Sequence, residues 1–324
     1  MPKVSVIIPN YNHARYLRQR IDSVFQQSLQ DLEIILMDDC STDESRSIIS
    51  EYANDPRVKT VFNAENSGST FKQWNKGVTM ARGKYVWIAE SDDYADKRLL
   101  EELVSRLDAD PNAVFSYCRS WRVSGDGQVV GFADSFYADL DSEKWTSDFW
   151  ADGREECQEY LVHRNTVPNA SSVLFRRDVY QRVGGADERL VLCGDWKTWV
   201  SMALTGGRIA YVGEPLNYFR FHDMTATVNS QRFGLDADEY LQVIRWMLGQ
   251  VKPTKTTRKK LCNDLFHFWS QRVVSNRTPL SRRWAILKNA SAIDRNALPK
   301  LVRPALVALR MTLSRRYRSL RSRV

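Results

Sequence analysis

Between residues 1 and 90, short apolar runs alternate with segments whose apolar residues recur every third or fourth position. Val4–Ile8 (VSVII) is a continuous β-branched run, the pattern of a strand covered on both faces. Pro9 is expected to end it, with Asn10, Tyr11 and Asn12 forming a polar loop. Leu17, Ile21, Val24 and Phe25 lie near helical spacing and predict a helix over about Ala14 to Gln27. A second strand, Glu33–Met37 (EIILM), ends at Asp38-Asp39. Ser41 and Glu44 have the Ser-x-x-Glu spacing of a capping box, which predicts a helix to about Ala53. Val58–Phe62 is a third strand, Phe71 to Ala81 a helix closed by Gly83, and Tyr85–Ala89 a fourth strand. Such alternation with short connections is the pattern of an α/β protein with a largely parallel sheet flanked by helices.

In sheets of that kind ligands bind at the carboxyl ends of the strands. Three polar clusters fall there: Pro9-Asn10-Tyr11-Asn12, Asp38-Asp39 and Glu90-Ser91-Asp92-Asp93. Singly they read as a turn, as a strand end before a capped helix, and as solvated acids at a turn. Together at one sheet edge they read as a ligand site. Glu90, Asp92 and Asp93 pose a charge problem. Two unit charges about 4 Å apart repel by roughly 4 kcal/mol at an effective dielectric near 20. A bound cation, raised pKa values or solvation must offset that.

Composition changes the picture at the far end of the chain. The 324 residues suffice for a full core, as one large domain or a domain with an appendage. Residues 241–324 carry 20 lysines and arginines against two acids, Asp264 and Asp294, whereas residues 1–240 are net acidic. Within the basic segment, Leu306, Leu309, Leu313, Tyr317, Leu320 and Val324 form one stripe of a helix from Pro304 onward, with Arg315, Arg316, Arg318 and Arg323 mostly elsewhere around it. That amphipathic pattern suits an anionic membrane surface, or packing on the body or a second subunit. Nucleic acid is not expected as a partner, because charge is the only feature in its favour. Five scattered cysteines without a CxxC pair argue against a disulfide framework or a zinc site and fit a reducing cytosol. The apolar run before Pro9 is too short for a signal peptide, and no segment reaches the length of a membrane span. A cytoplasmic protein is expected, with peripheral attachment to the inner face of the cell membrane.

The ordered segments VSVIIPNYN, ILMDDCSTDES and NSGSTFKQWNKGVTMARGKYVWIAESDDYAD resemble the nucleotide-sugar-binding half of family 2 glycosyltransferases, inverting enzymes with a GT-A fold. The segment SSVLFRRDVYQRVGGADERLVLCGDWKTWVSMAL and then YFRFH resemble the second half. The likeness runs from Val4 to about Thr227. It implies a catalytic domain over residues 1–227, followed by a basic helical region over 228–324.

The resemblance implies a role for each matching residue. Pro9, Asn10, Tyr11 and Asn12 would border the base and ribose of a nucleotide-sugar, and Asp39 would accept a hydrogen bond from a uracil N–H, which points to a UDP-sugar. Glu90, Asp92 and Asp93 stand at the family's acidic metal element, where Mg²⁺ or Mn²⁺ would hold the diphosphate. Asp92 is also implied in donor binding, and Glu90 is one methylene longer than the usual aspartate. Asp195 stands where the family's catalytic base opens a helix, although the usual preceding glutamate is Gly194 here. As that base it would take the acceptor hydroxyl proton; as a plain aspartate it would serve as a helix cap. Arg220 and His222 match an Arg-x-His element and are implied in diphosphate or metal contact. Asn75 and Gly77 are read as structural, Gly184-Gly185 as a helix end and turn. Trp145, Phe149 and Trp150 suit either a sugar platform or the core.

The acceptor implied is a glycan or a lipid-linked hydroxyl, in cell-surface polysaccharide synthesis. Two other functions are weighed. A catalytically silent nucleotide-sugar-binding protein would explain the departures at Glu90 and Gly194. A sugar-phosphate nucleotidyltransferase would need a glycine-rich basic loop after the first strand, where this chain has PNYNHARYL.

Overall fold

The computed structural model describes residues 1–222, 235–274 and 280–294. Two compact units divide the chain, Met1–Asp223 and Met224–Val324. The predicted helix from Pro304 lies outside the described residues.

The first unit is an α/β sheet with helices on both faces. Its strands are β1 (Val4–Asn10), β2 (Leu32–Asp38), β3 (Val58–Phe62), β4 (Tyr85–Ile88), β5 (Tyr94–Ala95), β6 (Ala113–Ser124), β7 (Val129–Phe132), β8 (Phe149–Asp152), β9 (Val173–Arg176) and β10 (Arg208–Phe221). The helices are α1 (Ala14–Phe25), α2 (Ser45–Glu51), α3 (Thr70–Met80), α4 (Leu99–Ala109), α5 (Gly153–Glu156), α6 (Arg177–Arg182) and α7 (Gly194–Ala203). The sheet runs β3-β2-β1-β4-β9-β6-β10-β5, with β7 on β6 and β8 on β10. The longest ladders, β1 with β2 and β10 with β6, are parallel, as are β1 with β4 and β2 with β3; β9 enters antiparallel between β4 and β6.

Every residue of β1 and β2 is buried, as their unbroken apolar runs require. Val4, Val6 and Ile8 face Leu17, Ile21 and Val24 of α1. On the opposite face α3 lies close to β1 because Gly77 has no side chain. A Cβ there would stand 2.6 Å from Ile7 Cγ2. Gly77 is thus a packing position.

Two local expectations are corrected. Pro9 does not end β1, which continues to Asn10. The Ile7 carbonyl accepts from Ala89 N–H on the β4 side, and the Asn10 carbonyl accepts from Asp39 N–H on the β2 side. Pro9, two positions past Ile7, turns its donorless nitrogen toward the side that β4 has already left, so no ladder bond is lost. The capping box at Ser41 also does not form. α2 starts at Ser45, and Glu44 caps it without a side-chain bond. The Ser41 hydroxyl instead accepts from Asn12 N–H at 2.9 Å and Asn10 Nδ2–H at 3.2 Å, tying the loop after β2 to the end of β1. Local cap chemistry lost to a contact between strand ends.

In the second unit the described helices are α8 (Leu235–Leu248), α9 (Lys255–Val274) and α10 (Leu280–Ile293). α8 packs on α10, where Asn289 donates to Asp238 at 3.1 Å. No helix among the described residues is long and apolar enough to cross a membrane.

Candidate active site

The three polar clusters converge at the carboxyl ends of β1, β2 and β4. Asn12 and Cys40 both adopt left-handed backbone, φ 55° and 63°, so the chain turns sharply off two neighbouring strands. Asparagine tolerates that conformation and cysteine does so at a cost of order 1 kcal/mol.

The four residues of the first loop are placed differently. Pro9 is buried in the strand and Tyr11 is exposed. Asn10 donates to Asp38 Oδ1 at 3.2 Å, which fixes its amide orientation and leaves Asn10 Oδ1 as a buried acceptor with no partner among the described residues. Asn12 Oδ1 accepts from Thr42 N–H at 2.8 Å.

Asp38 and Asp39 divide the work at the end of β2. Asp38 is a brace, accepting from Ser41 N–H and from Arg46 Nε at 2.9 Å. Asp39, also buried, accepts from Asn63 and Gln73 side chains and from Ser67 N–H on Oδ1, and from Ser67 Oγ at 2.7 Å on Oδ2. Its carboxylate is therefore held rigidly, with its remaining acceptor capacity on Oδ2.

The acidic loop after β4 resolves its repulsion one carboxylate at a time. Asp93 points inward: Oδ1 accepts from Arg220 N–H at 2.9 Å and Oδ2 from Asn169 Nδ2 at 2.8 Å. Arg20, fully buried on α1, lies 4.0 Å from Asp93 and donates to the Glu90 carbonyl at 2.8 Å. Burial and the charge of Asp92 still push the Asp93 carboxyl up to about 6. Glu90 Oε1 accepts from Trp74 Nε1 at 2.8 Å, and burial, with Asp92 adding to it, pushes Glu90 up to about 8. Asp92 alone faces two imidazoles. Burial opposes its ionisation, but the hydrogen bond from His222 and the neighbouring rings hold it below the usual carboxylate range. His222 Nε2 is 3.0 Å from Asp92 Oδ2.

Of the four residues expected at a metal, then, the structure brings Asp92 and His222 together and turns Asp93 and Glu90 elsewhere. Sequence reasoning missed a third member. His13 lies in the loop after β1, and one ligand atom from each of His13, Asp92 and His222 falls within 4.8 Å of the other two. Its Nδ1 is 2.8 Å from Ser91 Oγ. The clue was its place directly after Asn12, at the same sheet edge. Arg20 was missed too, because a charge inside the apolar stripe of a helix reads as solvent-facing.

Arg220 is placed differently from the expectation. It is 2% exposed, and its guanidinium donates to the Asp92 carbonyl at 2.7 Å, the Ser124 carbonyl at 3.2 Å and Gln19 Oε1 at 2.7 Å. It braces the acidic loop from behind, where a diphosphate contact had been expected.

Asp195 sits in the first turn of α7, just past the cap position at Cys193 and Gly194, and its Oδ1 accepts from Trp196 N–H at 2.6 Å, so one of its oxygens does bind a first-turn donor of the helix. Its Oδ2 accepts from Asn165 Nδ2 at 2.9 Å. Trp145 is a core residue, donating to Tyr117 Oη at 2.9 Å, and Phe149 stacks on Tyr211. Asn75 binds the turn at Ala186, and Gly184 and Gly185 both have positive φ beyond α6, in keeping with their structural reading.

The family model described as Glycosyl transferase family 2 matches residues 5–184, more than half of the chain. The chain belongs to glycosyltransferase family 2. It is 30% identical over 230 residues to an uncharacterized glycosyltransferase of Nostoc sp., covering 68% of this chain and 65% of that one. It is 34% identical over 110 residues to the poly(ribitol-phosphate) beta-N-acetylglucosaminyltransferase TarS of Staphylococcus aureus, covering 33% of this chain and 19% of TarS. The chain thus spans less than two thirds of the length of these relatives. The crystal structure of TarS residues 1–349 with UDP-GlcNAc superposes with a TM-score of 0.67 at 16% identity, covering 94% of this chain and 89% of that one. The mannosyltransferase PcManGT of Pyrobaculum calidifontis, with GDP-Man and Mn²⁺, gives a TM-score of 0.56 at 20% identity, covering 98% and 83%. These likenesses carry the GT-A fold.

Membership of the family gives the departure at Gly194 a physical reason. A Cβ there would meet the Phe71 ring at 2.5 Å. The Phe71 ring, packed edge-on against Trp74 at 5.2 Å between centroids, fills the room next to Gly194. Where a glutamate was expected before Asp195, this chain has a glycine packed against an aromatic ring.

Proposed function

We propose that the protein is a metal-dependent, inverting glycosyltransferase that moves a sugar from a UDP-sugar to a hydroxyl of a glycan or lipid-linked acceptor. The observation that carries this reading is the partition of the acidic loop. Two of its carboxylates are satisfied inside the protein, and Asp92 alone is presented, with His222, to a candidate cation site. Asp92 supplies the oxygen donor that Mg²⁺ or Mn²⁺ takes, and His222 adds an imidazole nitrogen that suits a transition-metal ion better than Mg²⁺. When bound, the ion neutralises charge on the diphosphate.

The remaining roles fall to this chain's own side chains. Asn10 Oδ1 and Asp39 Oδ2 offer acceptors for a uracil or ribose donor at the ends of β1 and β2. Tyr11 is the exposed aromatic next to them. Asp195 accepts the acceptor's hydroxyl proton as that oxygen attacks the anomeric carbon, and Asn165 holds the carboxylate in place. The complexes of neighbours with UDP-GlcNAc and with Mn²⁺ support the donor class and the ion. The basic segment 241–324 supports peripheral placement at the inner face of the membrane.

A calorimetric titration with UDP, run with Mn²⁺ and again with a chelator, tests the reading. Binding that needs the ion supports it. Equal binding in both conditions overturns metal dependence, and binding of GDP in preference to UDP overturns the donor.

A further inference from the structure

The cation site reaches beyond the two residues just assigned. His13, Asp92 and His222 come from the loop after β1, the loop after β4 and the end of β10, and each offers one ligand atom within 4.8 Å of the others. The rings are held in place. His13 and His222 stand edge to face with centroids 5.7 Å apart, and Tyr16 packs against both, at 6.3 Å and 5.0 Å. Tyr16 is itself pinned beneath the Arg220 guanidinium, 4.7 Å from its ring. Ser91 engages His13 Nδ1 at 2.8 Å, the kind of outer hydrogen bond that sets the orientation of a metal-binding imidazole and leaves Nε2 for the ion.

The chemistry of this donor set differs from that of an acidic pair. Mg²⁺ requires a near-octahedral shell of oxygens and gives up water reluctantly. Imidazole nitrogens suit later divalent ions, and two imidazoles with one carboxylate form a face that leaves positions open for further ligands. We infer that His13 completes a two-imidazole, one-carboxylate face with Asp92 and His222, and that this face selects a transition-metal dication over Mg²⁺. The inference rests on the metal-dependent reading above and adds a ligand and a selectivity to it.

The test is direct metal binding, independent of turnover. Chelator-stripped protein is titrated with Mn²⁺, free ion being followed by its paramagnetic resonance signal, with and without UDP, and Mg²⁺ is added as competitor. The wild type should bind Mn²⁺ in preference to Mg²⁺. His13→Ala should weaken Mn²⁺ by at least about tenfold while leaving Mg²⁺ unchanged, so that the preference collapses. Electron spin echo modulation of the Mn²⁺-loaded wild type should count two coordinated imidazole nitrogens, a readout that does not depend on the variant folding. One nitrogen, or an unchanged Mn²⁺ affinity in His13→Ala, overturns the role of His13 and leaves metal dependence standing. A wild type that takes up neither ion, even with UDP, overturns both.

Discussion

Arg220 holds Asp93 across 127 positions of chain, its backbone N–H donating to Oδ1 at 2.9 Å, while its side chain grips the carbonyl of Asp92 next door. β10 and the acidic loop are therefore tied together at two points. Replacing Arg220 by Met should loosen Asp92 and lower metal-dependent UDP affinity by about tenfold. Arg220→Lys should not restore it, because a lysine cannot fork between carbonyls on separate loops. Calorimetry on the two variants decides, and full rescue by Lys would show that charge alone matters.

Arg20 is the countercharge buried behind the same loop. Removing one partner of a buried ionic cluster costs about 3–5 kcal/mol, since the other charge is left unpaired. Arg20→Met should lose stability on that scale in urea unfolding. A loss under about 1 kcal/mol would mean that Asn169 and the Arg220 backbone suffice for Asp93.

Glu90 should leave a mark on the pH dependence of stability. Its carboxyl keeps its proton in the fold to about pH 8 but releases it near 4.5 when unfolded. Between those values the folded state binds more protons, so stability falls as pH rises. Asp93, pushed up to about 6, adds to the fall only at the acid end. Urea unfolding of chelator-treated protein between pH 6 and 8 should show the decline in wild type and a flatter profile in Glu90→Gln, which keeps an acceptor for Trp74. Parallel profiles would remove Glu90 as the source.

Asp195→Asn should cut turnover by roughly 10²–10⁴, the usual contribution of a positioned base, without changing UDP affinity. Asn165→Ala, which removes one of the bonds on the Asp195 carboxylate and an acceptor for Val167 N–H, should cost less. Unimpaired turnover in Asp195→Asn would assign the proton to another group.

Gly194→Glu, which writes the usual family residue back, should destabilise the protein by about 1–3 kcal/mol through collision with the Phe71 ring. Phe71→Ala in the same chain should recover part of that loss. Additive effects in the double variant would show that the two positions do not share space.

The strands and helices of the first ninety residues were legible because fully buried strands and amphipathic helices leave opposite periodicities in a sequence. What local pattern concealed was the behaviour of polar groups whose partners are distant. Ser41 has the spacing of a cap and serves as a tie between strand ends. Asp92 and Asp93 are neighbours in sequence, yet one faces His13 and His222 and the other a buried arginine, a distinction set by Arg20 and by β10. His13 gave no periodic signal at all, since Ser91, Asp92 and His222, the groups that set its place in the site, lie 78 positions and more along the chain.

The candidate cation site is assembled from both ends of its unit. His222 meets Asp92 across 130 residues and Arg220 meets Gln19 across 201. Closure entropy grows only with the logarithm of such a span, so the pairings are affordable once the sheet exists. None of them can form during synthesis before β10 has left the ribosome. A nascent chain halted ahead of Arg208 holds β1 to β4, Asp39 and Asp92, but not the wall that carries Arg220 and His222. The unit completes its candidate cation site only with its last strand.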